Sequence, residues 1–461
     1  MFESRKTWSL LVFYLRKDEV KREFKHSNIL FLFRALRYRN YRLFFSGQSI
    51  SLIGTWMTRV ATSWLVYRLT GSAWLLGIVG FAGQFPTFLL APFAGVWIDR
   101  MDRHKILVVT QVLAMIQSFA LAVLTLGNWI TVWEIVALGA FQGLINAFDM
   151  PARQAFVIQM VENKEDLGNA IALNSSMVNL ARLIGPSLAG IIIAMAGEGY
   201  CFLIDGLSYV AVIISLLLMT IVLKERKETG RKNMLSELHE GWKYVSGSKP
   251  IRSVLLLLAL VSLVGMPYTV LMPIFAGDIL HGGPHTLGFL MGATGVGALV
   301  GAIVLAARKS VLGLGRLIVI AAYCFGGGLI AFSASRVFPL SLVLLFVTGY
   351  GMMTQMASTN TILQTIVSDQ HRGRVMSYYA MAFVGMAPFG SMLAGAMASS
   401  IGAPRTLLAG GVCCCIGATL FALRLGELRK AVRPIYVELG ILPEVAAGIQ
   451  TASELRTPPE G

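Results

Sequence analysis

Charge is scarce in this chain. Only 14% of its 461 residues are Asp, Glu, Lys or Arg, against 56% hydrophobic, and the mean hydropathy is +0.68. A water-soluble fold cannot hide that much apolar surface, so a soluble domain is excluded. Cysteine is limited to Cys201, Cys324, Cys413, Cys414 and Cys415, all in or beside apolar runs. That excludes a disulfide framework. Three consecutive cysteines on a helix also diverge by about 100° each and make a poor metal site, so they read as small packing residues. No Gly-rich loop ends in Lys and Ser/Thr, which excludes an ATP motor within the chain. The six His are dispersed without zinc spacing, and no nucleophile elbow is present. No enzyme, catalytic residue, cofactor or metal is therefore expected. The first apolar run, Trp8 to Leu15, is short and is followed by basic, acidic and aromatic residues, so no cleavable signal peptide is expected.

Long apolar stretches are what the chain does have. Twelve are predicted, at 43–67, 73–97, 105–126, 130–148, 170–196, 200–223, 251–275, 286–307, 315–335, 339–365, 375–399 and 404–424. A crossing needs about 20 apolar residues, and without water to bond the backbone each crossing must be a helix. The polar breaks alternate in charge. Arg100, Arg103 and Lys105, then Lys224, Arg226, Lys227, Arg231 and Lys232, crowd one set of breaks, as do the two chain ends. The other set holds little beyond Arg68, Arg336 and Arg405. The positive-inside rule puts both termini and the middle loop in the cytosol, and an even number of crossings agrees. The net charge of +15 is thus explained by topology and anionic lipid, with no nucleic acid expected.

The sequence divides into a cytosolic segment 1–40, a six-helix bundle 41–223, a linker 224–250, a second bundle 251–424 and a cytosolic tail 425–461. Residues 5–39 read either as an interfacial amphipathic helix or as a flexible tail. A short surface helix is predicted around Leu235 to Val245. The halves echo each other at an offset of 205. Val157-Ile158-Gln159 falls on Ile362-Leu363-Gln364, Gly168 on Gly373, and Leu188-Ala189-Gly190 on Leu393-Ala394-Gly395. Duplicated six-helix halves with a mid-membrane site between them are a common transporter plan. The 47 glycines include Gly292, Gly295, Gly297 and Gly301 in one stretch, where small residues allow either sliding or static close packing. Pro86, Pro186, Pro267, Pro273 and Pro388 interrupt predicted helices and allow bends.

The sharpest local motif runs from Gly95 through Asp99, Arg100 and Arg103 to Lys105. A basic hairpin would explain its cations but not a Gly and an Asp four apart. The segment resembles the cytosolic loop signature of the major facilitator superfamily, with Asp102 where that pattern has Gly. The resemblance implies a latch in which Asp99 and Arg100 help to hold the outward-open state. Gly185-Pro186-Ser187-Leu188-Ala189-Gly190 is a partial match to the antiport element of exporting members, departing at Ala189 and Ala181. Asn40 to Phe44, Trp64 to Ser72, Phe148 to Phe156, Asn169 to Asn174, Met266 to Pro273 and Arg372 to Ser377 look like the enterobactin-exporter and macrolide-efflux branch. That resemblance implies a bacterial inner-membrane exporter driven by the proton gradient.

Ionisable groups inside the bilayer are costly and are site candidates by default. Arg59 and Arg182 are the intramembrane cations, able to attract an anionic substrate group or to keep a carboxylate ionised. Asp205 is the first candidate for proton coupling, with an arginine tuning it, or else it fixes an arginine. Asp149 and Glu134 are the alternatives. Asp149 and Arg153 have i,i+4 spacing, but Pro151 between them argues against an unbroken helix. Glu134 also reads as a solvated interfacial residue. Gln48, Trp56, Gln84, Phe85, Gln142, Asn146, Asn174, Asn179, Tyr268, Gln355, Asn360 and Met386 are candidates to line an amphipathic cavity, although amides in lipid also bond to neighbouring helices.

The sequence therefore predicts an all-α membrane protein of the major facilitator fold, with twelve transmembrane helices in two pseudo-symmetric six-helix bundles. It is expected to be a monomer in the bacterial inner membrane, exporting a bulky amphipathic molecule, siderophore-like or drug-like, by proton antiport. An importer of the same fold and a non-transporting receptor or scaffold are the other readings.

Overall fold

A computed structural model describes residues 33–98, 101–220, 234–308, 310–439 and 441. Six long helices come first: α1 (Arg39–Thr70), α2 (Ala73–Ile98), α3 (Arg103–Leu126), α4 (Val132–Met160), α5 (Lys164–Ala196) and α6 (Glu198–Leu217). A shorter helix, α7 (Met234–Gly247), lies where the linker helix is expected. Six more long segments follow: α8 (Lys249–Ile279), α9 (Pro284–Ala306), α10 (Leu314–Ala334), α11 (Phe338–Ile366), α12 (Asp369–Ile401) and α13 (Ala403–Glu438). Eleven of the twelve are long and apolar enough to cross a bilayer. The other, α1, has 32 residues, but Gln48, Arg59 and a run of Ser and Thr make it polar for a crossing.

Local chemistry sets the helix ends. Gly71, at φ 60°, closes α1 in the left-handed conformation that glycine adopts freely. Asp102 caps α3 by accepting from the His104 backbone N–H at 3.0 Å, which gives the departure from the loop signature a physical role. Asn163 caps α5 in the same way. Thr131 and Glu134 form a capping box at the start of α4. The sequence places the end of that helix near 148, whereas α4 runs unbroken through Pro151 to Met160. Asp149 and Arg153 pair across the proline, and Thr110 and Gln111 of α3 also bond to Asp149. Those contacts hold the turn that has lost its backbone N–H.

Equivalent helices pack in equivalent ways. α3 packs on α4 and α6, and α2 on α4; α10 packs on α11 and α13, and α9 on α11. The halves then exchange partners, with α5 against α9 and α2 against α12. The echoed glycines sit at these two seams. A Cβ on Gly190 would lie 2.7 Å from the Pro284 carbonyl and 3.0 Å from Gly288 Cα. One on Gly395 would lie 2.8 Å from Gly77 Cα and 2.9 Å from the Ala73 carbonyl. Backbone meets backbone at both places, which only a missing side chain permits. Both crossings are near the face opposite the linker helix, where Tyr67 of α1 also donates to Asp278 of α8 at 2.5 Å. Deeper in, Phe81, Phe85 and Phe88 of α2 surround Phe389 of α12, with ring centres 5.4–6.2 Å apart. The halves therefore meet from mid-depth to the face away from the linker.

At the linker face, α7 docks on the start of α12. Glu240 pairs with Arg374 at 2.7 Å, and Tyr244 stacks on His371 with centres 4.1 Å apart. Before α1, Arg34 and Arg37 both pair with Asp166 of α5, which fastens the start of the chain's described part to the first half.

Three segments leave the α-helical ladder in the second half. Val261–Gly265 in α8 and Met381–Gly385 in α12 are π-helical, and each lies just before a proline, Pro267 or Pro388. The Ser262 hydroxyl donates to the Phe383 carbonyl at 2.8 Å, joining the two irregular stretches. A third π-helical stretch, Phe275–Ile279, follows Pro273 and ends α8.

Candidate functional site

Two guanidinium groups share one indole. Arg59 lies one turn after Trp56 on α1, with its carbon 4.6 Å from the Trp56 ring centre. Arg182 reaches the same ring from α5 at 5.1 Å. Gly185 makes the approach possible, because a Cβ there would lie 2.5 Å from Trp56 Cβ. Pro186 removes the backbone donor that would bond the Arg182 carbonyl. That carbonyl lies against Gly295 of α9, where an added Cβ would come within 3.2 Å of it. The antiport-like element thus packs on α1 through Gly185 and on α9 through Gly190, and it carries Arg182 to the boundary between the halves. Gly288 has Pro186 on its other side.

Neither Arg59 nor Arg182 has an ion pair among the described residues, and Arg182 Nε has no hydrogen-bond partner there. Arg59 is exposed although it sits well inside a crossing helix. With both groups held on one ring they are at most ~10 Å apart, and at an effective dielectric of 20 they repel by at least about 1.7 kcal/mol. Stacking on Trp offsets this by about 0.5–2 kcal/mol per cation. The ring thus offsets the mutual repulsion but not the cost of taking two cations out of water, so the pair gains strongly from negative charge.

Asp205 lies elsewhere in the first half. It is buried on α6 and accepts from the Thr58 hydroxyl of α1 at 2.8 Å and the Ser118 hydroxyl of α3 at 2.9 Å. Its Oδ1 has no partner among the described residues. Gly54 gives it room, since a Cβ there would come within 2.6 Å of Oδ1. No ion pair joins Asp205 to Arg59 or Arg182. Its link to Arg59 is indirect: Thr58, its donor, precedes Arg59 in α1.

Asp149 is buried and paired with Arg153, and it also accepts from Gln111 Nε2 at 2.7 Å. Glu134 is occupied in the capping box at the far end of the same helix. Of the loop signature, Gly95 lies in α2, and Arg103 donates to the Ala155 carbonyl of α4 at 3.2 Å. Asp99 and Arg100 lie outside the described residues.

The cavity candidates divide. Gln84 and Asn179 bond to carbonyls of their own helices, and Gln142 bonds to Asn146 and Gln364 to Asn360. Gln48 is buried, and Phe85 belongs to the aromatic cluster at the α2–α12 seam. Asn174 Oδ1 and Gln355 Nε2 have no partner among the described residues. Tyr268 is buried edge-on to Phe325, and Met386 is half-buried beside Pro388.

Three features escaped the sequence reading. Asp278 is acidic and inside α8, yet the predicted span stops at 275. Arg68 meets Glu198 at 2.8 Å, where two loop residues gave no hint of pairing. Thr354, Ser358 and Thr359 join the cavity candidate Gln355 in a buried polar strip on α11, each with an atom that has no partner among the described residues. Their spacing at one helical face was a signal available in the sequence.

Comparison with known proteins places this architecture. The chain is 27% identical over 376 residues to the staphyloferrin A transporter of Staphylococcus aureus, covering 80% of this chain and 92% of that protein. It is 24% identical to macrolide efflux protein A of Streptococcus pyogenes, covering 86% and 98%. It is 26% identical to the multidrug efflux pump Tap of Mycolicibacterium fortuitum, covering 77% and 88%. Among solved structures, a bacterial homologue of the lysosomal transporter Spinster aligns with a TM-score of 0.65 at 15% identity, covering 86% of this chain and 98% of that one. The nucleoside transporter NupG aligns with a TM-score of 0.63 at 13% identity, covering 85% and 99%. The fold is the one these solved structures share, and the family described as transmembrane secretion effector matches residues 32–434. The chain therefore belongs to the transmembrane secretion effector family of major facilitator transporters.

Proposed function

We propose that the protein is a proton-driven exporter of bulky amphipathic molecules, siderophore-like or drug-like, in the bacterial inner membrane. Its two units, 41–223 and 251–424, rock about the α2–α12 and α5–α9 seams. The linker face is cytosolic, as the basic residues there require. The arrangement described is then the one sealed toward the outside, with the substrate chamber between the halves beneath the glycine crossings. The exposed Arg59 marks the chamber. The loop from Gly95 to Arg103, including Asp99 and Arg100, latches the alternate state. A monomer suffices, because both halves of the site come from one chain.

Asp205 carries the coupling. It is buried, has two hydroxyl donors and no ion pair among the described residues, and one of those donors, Thr58, precedes Arg59 on α1. An uncompensated carboxylate in that setting is costly, so proton uptake and release are tied to what happens around it. Asp149 is committed to Arg153 and Glu134 to its capping box, which leaves Asp205 as the carboxyl group available. The relatives are named for siderophore transport, macrolide efflux and multidrug efflux, which supports export of large organic molecules.

Everted and right-side-out vesicles test the direction. With a macrolide and a siderophore as probes, export requires accumulation in everted vesicles that collapses when the pH gradient is dissipated. Accumulation confined to right-side-out vesicles would establish an importer. No flux in either would establish a receptor or scaffold.

A further inference from the structure

Resting on the export reading, we propose that the substrate is an amphipathic dianion, with its two negative groups held by Arg59 and Arg182 on either approach to Trp56. The argument begins with charge. Two guanidinium groups gather on one indole, and no carboxylate among the described residues pairs with either. Asp149 is paired with Arg153 and Glu134 is held in its capping box, while Asp205 accepts only from the Thr58 and Ser118 hydroxyls. Nearby polar groups include two phenols: Tyr209 on the first-half side and Tyr268 on the second-half side lie within electrostatic range of the pair. Phenols can donate to an anion but do not neutralise a cation. The neutralising charge must come from what binds.

Position makes this pair a substrate site rather than a structural brace. The cations rest on α1 and α5 of the first half. Arg182's backbone touches Gly295 of α9, and Tyr268 belongs to α8, so the second half closes against the same place. Arg59 is exposed, which a brace sealed in the core would not be. Arg182 Nε has no partner among the described residues, so a donor is available to meet an anion. Guanidinium groups bind carboxylate or phosphate oxygens through paired N–H donors, and two such groups fix two anions at once. Mutual repulsion between the two cations also supplies a bias: a dianion relieves it, while a neutral or cationic molecule of the same shape does not. Selection among bulky amphipaths would then turn on charge as much as on apolar fit.

The test uses purified full-length protein in nanodiscs and three molecules of one shape: naphthalenedicarboxylate, its monomethyl ester and its dimethyl ester. Calorimetry at low salt is expected to rank them by charge, with affinity falling about tenfold for each negative charge removed. Arg59→Gln and Arg182→Gln should each lower dianion affinity about tenfold and leave the diester unchanged. Arg68→Gln, a cation paired outside the site, should leave the ranking intact. Equal affinity for all three molecules, or undetectable binding of the dianion, would overturn the proposal on the wild-type protein alone, even where a Gln variant fails to fold. A ranking that persists in folded Arg59→Gln/Arg182→Gln protein would also overturn it. Binding is read here without any gradient. Lost ranking with intact gradient-driven efflux of a macrolide would sink the dianion and spare the exporter; a clear ranking with no flux in either direction would do the reverse.

Discussion

The two halves share an architecture and differ in chemistry. Arg59, Asp149, Arg153, Arg182 and Asp205 all belong to the first half, whereas second-half residues such as Asp278, Arg374 and Arg424 flank or end its apolar stretches. In the second half the same depths hold neutral groups. Thr354 and Ser358 of α11 stand at the positions that the 205-residue offset pairs with Asp149 and Arg153. Irregular backbone is distributed the other way. The π-helical stretches before Pro267 and Pro388, joined by Ser262 and Phe383, are all in the second half. Such stretches cluster at functional sites and provide places where a helix can change its winding. On the proposed function the two halves divide the tasks: the first holds the charges that would bind and couple, and the second supplies the bending surface that would close on them.

Breaking the charged side of this contrast should cost most. Arg153→Met leaves Asp149 buried with an unpaired charge, so the protein is expected to lose about 3–5 kcal/mol of stability, read as a large drop in unfolding temperature. Asp149→Asn/Arg153→Met should recover most of that loss. A single variant as stable as wild type would show that the pair is dispensable.

The seams come next. Gly190→Ala and Gly395→Ala drive a methyl into opposing backbone, and overpacking of this kind costs about 1–3 kcal/mol. Because the clash exists only where α5 meets α9, or α2 meets α12, it should favour the state open on the face away from the linker. Spin-label distances between the far ends of α2 and α12 should lengthen in Gly395→Ala. Unchanged distances in both variants would mean that the glycines pack statically.

Tyr67→Phe removes the hydroxyl that joins α1 to Asp278, at a partly exposed place, and should shift the same distances in the same direction by less, about 1 kcal/mol of bias. The smallest effect is expected in the second half's hinge. Ser262→Ala deletes one hydrogen bond between the π-helical stretches, worth about 1 kcal/mol, and should alter transport rate without altering substrate affinity. An affinity change there would blur the division between the halves.

Much of the fold was legible in the sequence, because lipid leaves few options. Apolar length and the alternating basic loops mark the crossings, and the echo of Leu188-Ala189-Gly190 in Leu393-Ala394-Gly395 lands on equivalent seams. The helix through Pro151 was not legible, since the contacts from Thr110 and Gln111 that hold it come from another helix. Arg59 and Arg182 stand out in the sequence as costly cations, but their common ring is a tertiary fact that no spacing reveals. The same holds for Asp205. Its expected arginine partner is replaced by hydroxyls of Thr58 and Ser118, residues too common in crossing helices to attract notice.

The measurement closest to the central claim is flux in proteoliposomes containing Asp205→Asn. Removing the charge but keeping the shape should abolish efflux driven by a pH gradient, while exchange of labelled for unlabelled substrate without a gradient continues. Gradient-driven efflux at the wild-type rate by that variant would contradict the account.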